Sequence, residues 1–180
     1  LPTAELHIYG AYTTQQILEL HNKKEGFIIK GYTANPKEIV QNNKIVLAPL
    51  RFGAGIKGKL TEAMQCGAPS VTTSIGAEGM HDNLTWNGFV EDDFTVFAEK
   101  AIALYTDAKL WKEKQQNGVE IINQLYGKEK IGIQFIKKLD SLQKNIVSYR
   151  TQNFLGSLLQ HQTLQSTKYM SKWIEEKNKK

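Results

Sequence analysis

Leu47-Ala48-Pro49-Leu50-Arg51-Phe52-Gly53-Ala54-Gly55-Ile56-Lys57-Gly58-Lys59-Leu60-Thr61-Glu62-Ala63-Met64-Gln65-Cys66-Gly67-Ala68-Pro69-Ser70-Val71-Thr72-Thr73 is the stretch that decides how this chain folds. The apolar run that leads into it, Ile45-Val46-Leu47-Ala48, predicts a buried strand. A glycine-rich loop follows, from Arg51 to Gly55. From about Ile56 to Cys66 the pattern turns helical, with Leu60 and Met64 one turn apart. Gly67 stops that helix, Pro69 bars its return, and Val71-Thr72-Thr73 opens a second strand. The result is a strand–loop–helix–strand unit whose helix starts beside three cations, Arg51, Lys57 and Lys59.

Cations at a helix N-terminus face its partial positive charge, which costs a few tenths to about 1 kcal/mol each. A bound phosphate reverses the sign, because it accepts from the unpaired N–H groups and faces the lysines. Gly53 and Gly55 let the backbone approach such an anion closely. Glu62 leans toward the helix N-terminus over Gly58, and its acceptor-only carboxylate suits sugar hydroxyls. The competing reading leaves Lys57 and Lys59 solvated and pairs Glu62 with Lys59. The flanking glycines and the second strand favour the ligand.

Lys59-Leu60-Thr61-Glu62-Ala63-Met64-Gln65-Cys66-Gly67-Ala68-Pro69-Ser70-Val71-Thr72-Thr73, followed by Gly76-Ala77-Glu78-Gly79, resembles the signature of the family 4, or group 1, retaining glycosyltransferases. Ala4 to Gly10 and Phe27 to Tyr32 resemble two strands of that family. Asn87-Gly88-Phe89-Val90 with Asp92-Asp93 resembles its hairpin strand and acidic turn. The resemblance implies the C-terminal, donor-binding half of a GT-B fold, with additional C-terminal helices. It places Glu62 on the donor ribose, as the second Glu of a Glu, seven residues, Glu motif. The first Glu falls at position 54, which is Ala54 here, so Lys57 or Lys59 takes over part of the sugar or diphosphate contact. It further implies catalytic roles for Lys57 and Glu62. Arg51, Gly53, Gly55, Lys59, Tyr32, Thr33, Glu78 and Gly79 are the expected substrate contacts.

Composition sets outer bounds. The 180 residues are 41% hydrophobic and 23% charged, ordinary for a globular protein. One cysteine, Cys66, excludes an internal disulfide framework and suits a reducing compartment. It reads as a packed small hydrophobe. The net charge of +5 favours anionic partners without choosing among them. The positive residues gather at one loop and a tail with no basic–aromatic stripe, so nucleic acid is not an expected partner. His7, His21, His81 and His161 show no metal-ligand spacing, so neither a metal nor another cofactor is expected. No run reaches the length of a membrane-spanning helix. The chain opens without Met, which implies a piece of a longer polypeptide.

Outward from the central unit, strands alternate with helices, as in a Rossmann-like α/β parallel sheet flanked by helices. Glu5 to Tyr9 and Phe27 to Ile29 read as strands, and Gln15 to Asn22 and Lys37 to Gln41 as helices. Three loops occupy strand carboxyl ends, where ligands bind such sheets: Lys30 to Thr33, Pro49 to Lys57 and Ser74 to Met80. Tyr32 either stacks on a base or packs in the core. Glu78 either accepts from sugar hydroxyls or caps a turn, and His81 is solvated or meets a phosphate. Helices follow over Phe94 to Tyr105, Ala108 to Tyr126 and Ile131 to Tyr149, with Trp111 as a packing anchor.

The expected domains are residues 1–150, binding a nucleotide sugar, and an amphipathic helical tail at 151–180. That tail carries apolar stripes at Phe154-Leu155-Leu158-Leu159 and Tyr169-Met170-Trp173-Ile174. It docks on a preceding domain of the same polypeptide, packs on its own domain, or lies on a membrane surface. The functional expectation is transfer of a hexosyl group from a nucleotide-diphosphate sugar to an acceptor glycan or lipid-linked sugar, in the cytoplasm or at its membrane face. The alternative is a non-catalytic sugar-nucleotide-binding or interaction module.

Overall fold

The computed structural model describes residues 3–179, the side chains of 160–164 excepted, so the polar stretch Gln160-His161-Gln162-Thr163 lies outside the described side chains. The chain forms two compact units, Leu1–Gly127 and Lys128–Lys180.

The first unit holds five parallel strands in two sheets. β1 (Leu6–Tyr9) pairs with β2 (Phe27–Gly31), and β4 (Ser70–Thr72) lies between β3 (Val46–Ala48) and β5 (Gly88–Val90). β5 is therefore not the hairpin strand that its sequence resembles. Parallel partners need a crossover, and residues 73–87 supply one. The crossover opens with a one-turn helix, α4 (Ser74–Ala77), where a loop from Ser74 to Met80 was expected. Thr73 caps it, its Oγ1 accepting from the Gly76 N–H at 3.2 Å.

Between β1 and β2 the helix is shorter than the periodicity implies. α1 (Gln15–Leu18) gives way to a 3₁₀ turn at Lys23–Glu25, because the Asn22 side chain accepts from the N–H groups of Lys24 and Glu25. β2 runs on through Lys30 and Gly31, which were expected in the loop. α2 (Pro36–Gln41) starts on an Asn35 cap with Pro at the first position, where a missing N–H costs nothing.

Both faces of the three-stranded sheet are covered, as a parallel sheet requires. Alternation along β4 sends Val71 to one side, against Phe97, Ala101 and Leu104, which belong to α5 (Phe94–Thr106). On the other side α3 (Gly58–Gln65) lays Leu60 and Met64 against Ala48, Met80, Trp86 and Ile121, the last from α6 (Ala108–Leu125). Asp93 and Asp107 cap α5 and α6. Ser70 and Asn87 are buried and paired: Ser70 Oγ donates to Asn87 Oδ1 at 2.8 Å, and Asn87 Nδ2 donates to the Ala68 carbonyl at 3.2 Å. Trp111 is an anchor as expected, its Nε1 donating to the Lys44 carbonyl at 2.7 Å.

The second unit contains α7 (Lys128–Lys144), α8 (Ile146–Gln152) and α9 (Phe154–Lys177). The single helix expected over Ile131 to Tyr149 breaks at Asn145. There the side-chain amide donates to the Ser141 carbonyl at 2.9 Å and competes with the helical ladder. Among the described residues of this unit none is buried. No described helix is long and apolar enough to cross a membrane.

Candidate functional site

Register brings Ala48, Thr72 and Val90 side by side at the carboxyl ends of β3, β4 and β5. Hydroxyls then tie the departing loops together. Thr72 Oγ1 donates to the Ala48 carbonyl at 2.9 Å and Thr73 Oγ1 to the Leu50 carbonyl at 2.6 Å. Asp92 accepts from the Ser74 N–H at 2.9 Å and from Ser74 Oγ at 2.6 Å. These bonds, the Oγ one foremost and the N–H one next, hold the Asp92 carboxyl below the usual carboxylate range. The Ser74–Asp92 tie was invisible in sequence, because it depends on the β4–β5 register.

The start of α3 sits among these loops. Its cap residue, Lys57, gives no side-chain cap, and its carbonyl accepts from Leu60 and Thr61. The N–H groups of Gly58 and Lys59 have no partner among the described residues, and no atom lies within 4 Å of where a Gly58 Cβ would stand. Lys57 is not solvated, as the competing reading had it. It is 8% exposed, and its Nζ donates to the Glu78 carbonyl at 3.2 Å. A Cβ at Gly53 would come 3.8 Å from its Cε. Gly53, Lys57 and Glu78 therefore meet. A nearly buried ammonium with three donors and one carbonyl partner favours an arriving anion.

Glu62 is half-buried on the α3 face that also carries Gly58 and Cys66. Its carboxylate forms no ion pair or hydrogen bond among the described residues, with Lys59 or any other group. Burial first, and the Glu62 charge second, push the Cys66 thiol up, against a smaller opposite pull from Lys37. Arg51, Gly53, Ala54, Gly55 and Lys59 are exposed. Glu78 caps the end of α4 through its N–H, while its side chain is free to solvent. With Gly79 it lines an open depression of about 280 Å³, shared with Ser74, His81, Asp82 and Val90. His81 Nδ1 lies 2.6 Å from the Leu84 carbonyl and so carries the proton, donating to it.

Tyr32 and Thr33 stand past the end of β2, in the other sheet. Tyr32 is 76% exposed, so it does not pack in the core. Thr33 Oγ1 accepts from the Asn35 N–H at 3.2 Å. Phe52, 84% exposed between Arg51 and Gly53, was not singled out from sequence, where one aromatic in a loop gives no signal. Among the described residues no three His, Cys, Asp or Glu side chains gather where a metal ion could be held.

Residues 2–107, more than half of the chain, match the model of a family described as glycosyl transferases, group 1. The chain belongs to the group 1 glycosyl transferases. Its α/β fold is similar to that of GT-B glycosyltransferases. Over 74% of its residues this glycosyltransferase chain is similar to TarM, with 25% identity and a TM-score of 0.62. A structure of an S. aureus TarM mutant in complex with fondaparinux, α-GlcNAc-glycerol and UDP gives 24% identity and a TM-score of 0.61, again over 74% of the chain. The GtfA/B complex shares the fold over 77% of the chain, at 22% identity and a TM-score of 0.54. The chain spans only 28% of TarM and 30% of the matched GtfA/B chain. No curated protein sequence matches it.

Proposed function

We propose that this chain is the donor-binding part of a retaining glycosyltransferase. The enzyme moves a hexosyl group from a nucleotide-diphosphate sugar to an acceptor hydroxyl on a glycan or lipid-linked sugar. The observation that supports this most is the nearly buried Lys57 side chain, between a glycine-rich loop and the Glu78 turn, beside two N–H groups at the start of α3 with no partner among the described residues. As the bond from the anomeric carbon to the diphosphate oxygen breaks, negative charge builds on that oxygen. Lys57, the N–H groups of Gly58 and Lys59, and the exposed cations Arg51 and Lys59 stabilise it there. Glu62, one turn further, accepts from the ribose. Glu78 and Gly79 contact the donor sugar, and Tyr32 with Thr33 borders the base. The acceptor site belongs to another domain of the same polypeptide, so the 180-residue chain binds nucleotide weakly and transfers nothing alone. The lone thiol of Cys66 suits a cytoplasmic setting.

UDP in the TarM complex makes uridine-diphosphate sugars the first donors to try, beside GDP and ADP sugars. Calorimetric titration of the folded chain should give saturable binding of one of these classes. Glu62→Gln should weaken it about ten- to a hundredfold, the loss expected for a charge-assisted hydrogen bond. No binding of any of the three by folded chain would overturn the reading. Ala54, where the motif has its first Glu, supports a second reading, a module that binds sugar nucleotide without catalysis. Turnover by the full-length polypeptide, lost on Glu62→Ala, decides for the enzyme.

A further inference from the structure

We propose that residues 128–180 form a docking surface for an anionic lipid bilayer, with the apolar faces of their helices at the headgroup boundary. The inference does not depend on the sugar-nucleotide reading. Three observations carry it. First, the unit has no interior among its described residues, and Phe135, Val147, Leu155 and Trp173 are 59%, 75%, 70% and 60% exposed. Apolar surface on that scale calls for a cover.

Second, charge is divided unevenly along the chain. Residues 128–180 carry 11 Lys and Arg against 4 Asp and Glu, a net +7, while residues 1–127 carry 12 against 14, a net −2. All the excess positive charge therefore accompanies the exposed apolar side chains.

Third, α9 sorts its residues by face. Leu155, Leu158, Tyr169 and Trp173 follow at steps of three, eleven and four, which keeps them on one side. Lys168 and Lys172 flank that side one turn apart, with no ion pair among the described residues. Like charges at this spacing destabilise a helix in water. Against lipid phosphates they are favourable, and Tyr and Trp suit the same depth.

Other covers fit less well. The core of a protein interface is depleted of lysine, whereas here lysines and apolar residues are interleaved, as in Ile136-Lys137-Lys138-Leu139. A second copy would set +7 against +7.

The test is sedimentation of the 180-residue chain with vesicles of phosphatidylcholine alone or mixed with phosphatidylglycerol. The mixed vesicles should bind it at least about tenfold more tightly, and raising salt from about 0.1 to 0.5 M should release it. Lys168→Glu combined with Lys172→Glu should weaken binding at least about twenty-five-fold, at roughly fivefold per lysine, with helix content by circular dichroism unchanged. Trp173→Ala should also weaken binding, while Trp86→Phe and Trp111→Phe keep a Trp173 emission that shifts to the blue on vesicles. Equal binding to both vesicle types, no binding to either, or a stable dimer that ignores vesicles would each overturn the proposal.

Discussion

Lys57 joins two roles that pull in opposite directions. Its side chain is nearly buried, and its ammonium has a carbonyl as its partner rather than a carboxylate. Burial of a charge so poorly compensated is unfavourable to the empty protein and favourable to an anion complex. Lys57→Met should therefore leave unfolding free energy within about 1 kcal/mol of the parent, while nucleotide-diphosphate affinity falls at least about tenfold. Urea denaturation and calorimetry on the same sample check both halves. Asp92 gives a pH signature. Its carboxyl sits below its ordinary value because Ser74 donates to it twice, through Oγ and through N–H. A lowered folded-state value means that the unfolded chain binds the proton more readily. The contribution is thus complete above the ordinary carboxylate value of about 3.9 and is lost as pH falls through the lower folded one. Asp92→Asn should flatten this part of the acid limb when urea midpoints are measured from about pH 6 to 2.

At the scale of elements, the turn of α4 on the end of β4 depends on Gly76. A Cβ there would run into Thr72 Oγ1, which is itself held by the Ala48 carbonyl. Gly76→Ala should cost about 1–3 kcal/mol, the usual range for overpacking, and adding Thr72→Ala should recover part of it. Urea unfolding of the two single variants and the double variant measures the coupling. The same region shows what sequence can and cannot display. The β3–α3–β4 unit was legible because glycine and proline punctuate it and Leu60 and Met64 keep helical spacing. α4 was not, since one turn is too short for periodicity and contains a glycine. The parallel course of β5 was hidden too, because three residues carry no direction. At the site, the glycine loop ahead of α3 was legible. The depth of Lys57 and the Ser74–Asp92 tie were not, as both arise from residues about 20 apart in sequence brought together by register.

For the molecule as a whole, every buried hydrophobic side chain among the described residues precedes Gly127. Residues 1–127 alone should then fold cooperatively, with a urea midpoint close to that of the full chain. A non-cooperative transition would show that the helices after Gly127 are needed for the first core. The order in which the first core is built has a further consequence. Ile121 of α6 closes the same cluster as Ala48 of β3, and the described strands of this unit pair in parallel, not through tight reverse turns. During synthesis the local reverse pairing on offer is the single bridge between Asn22 and Phe27, a slender foothold. The hundred or so residues ahead of α6 complete their core, and leave the reach of chaperones and proteases, once α6 has been made.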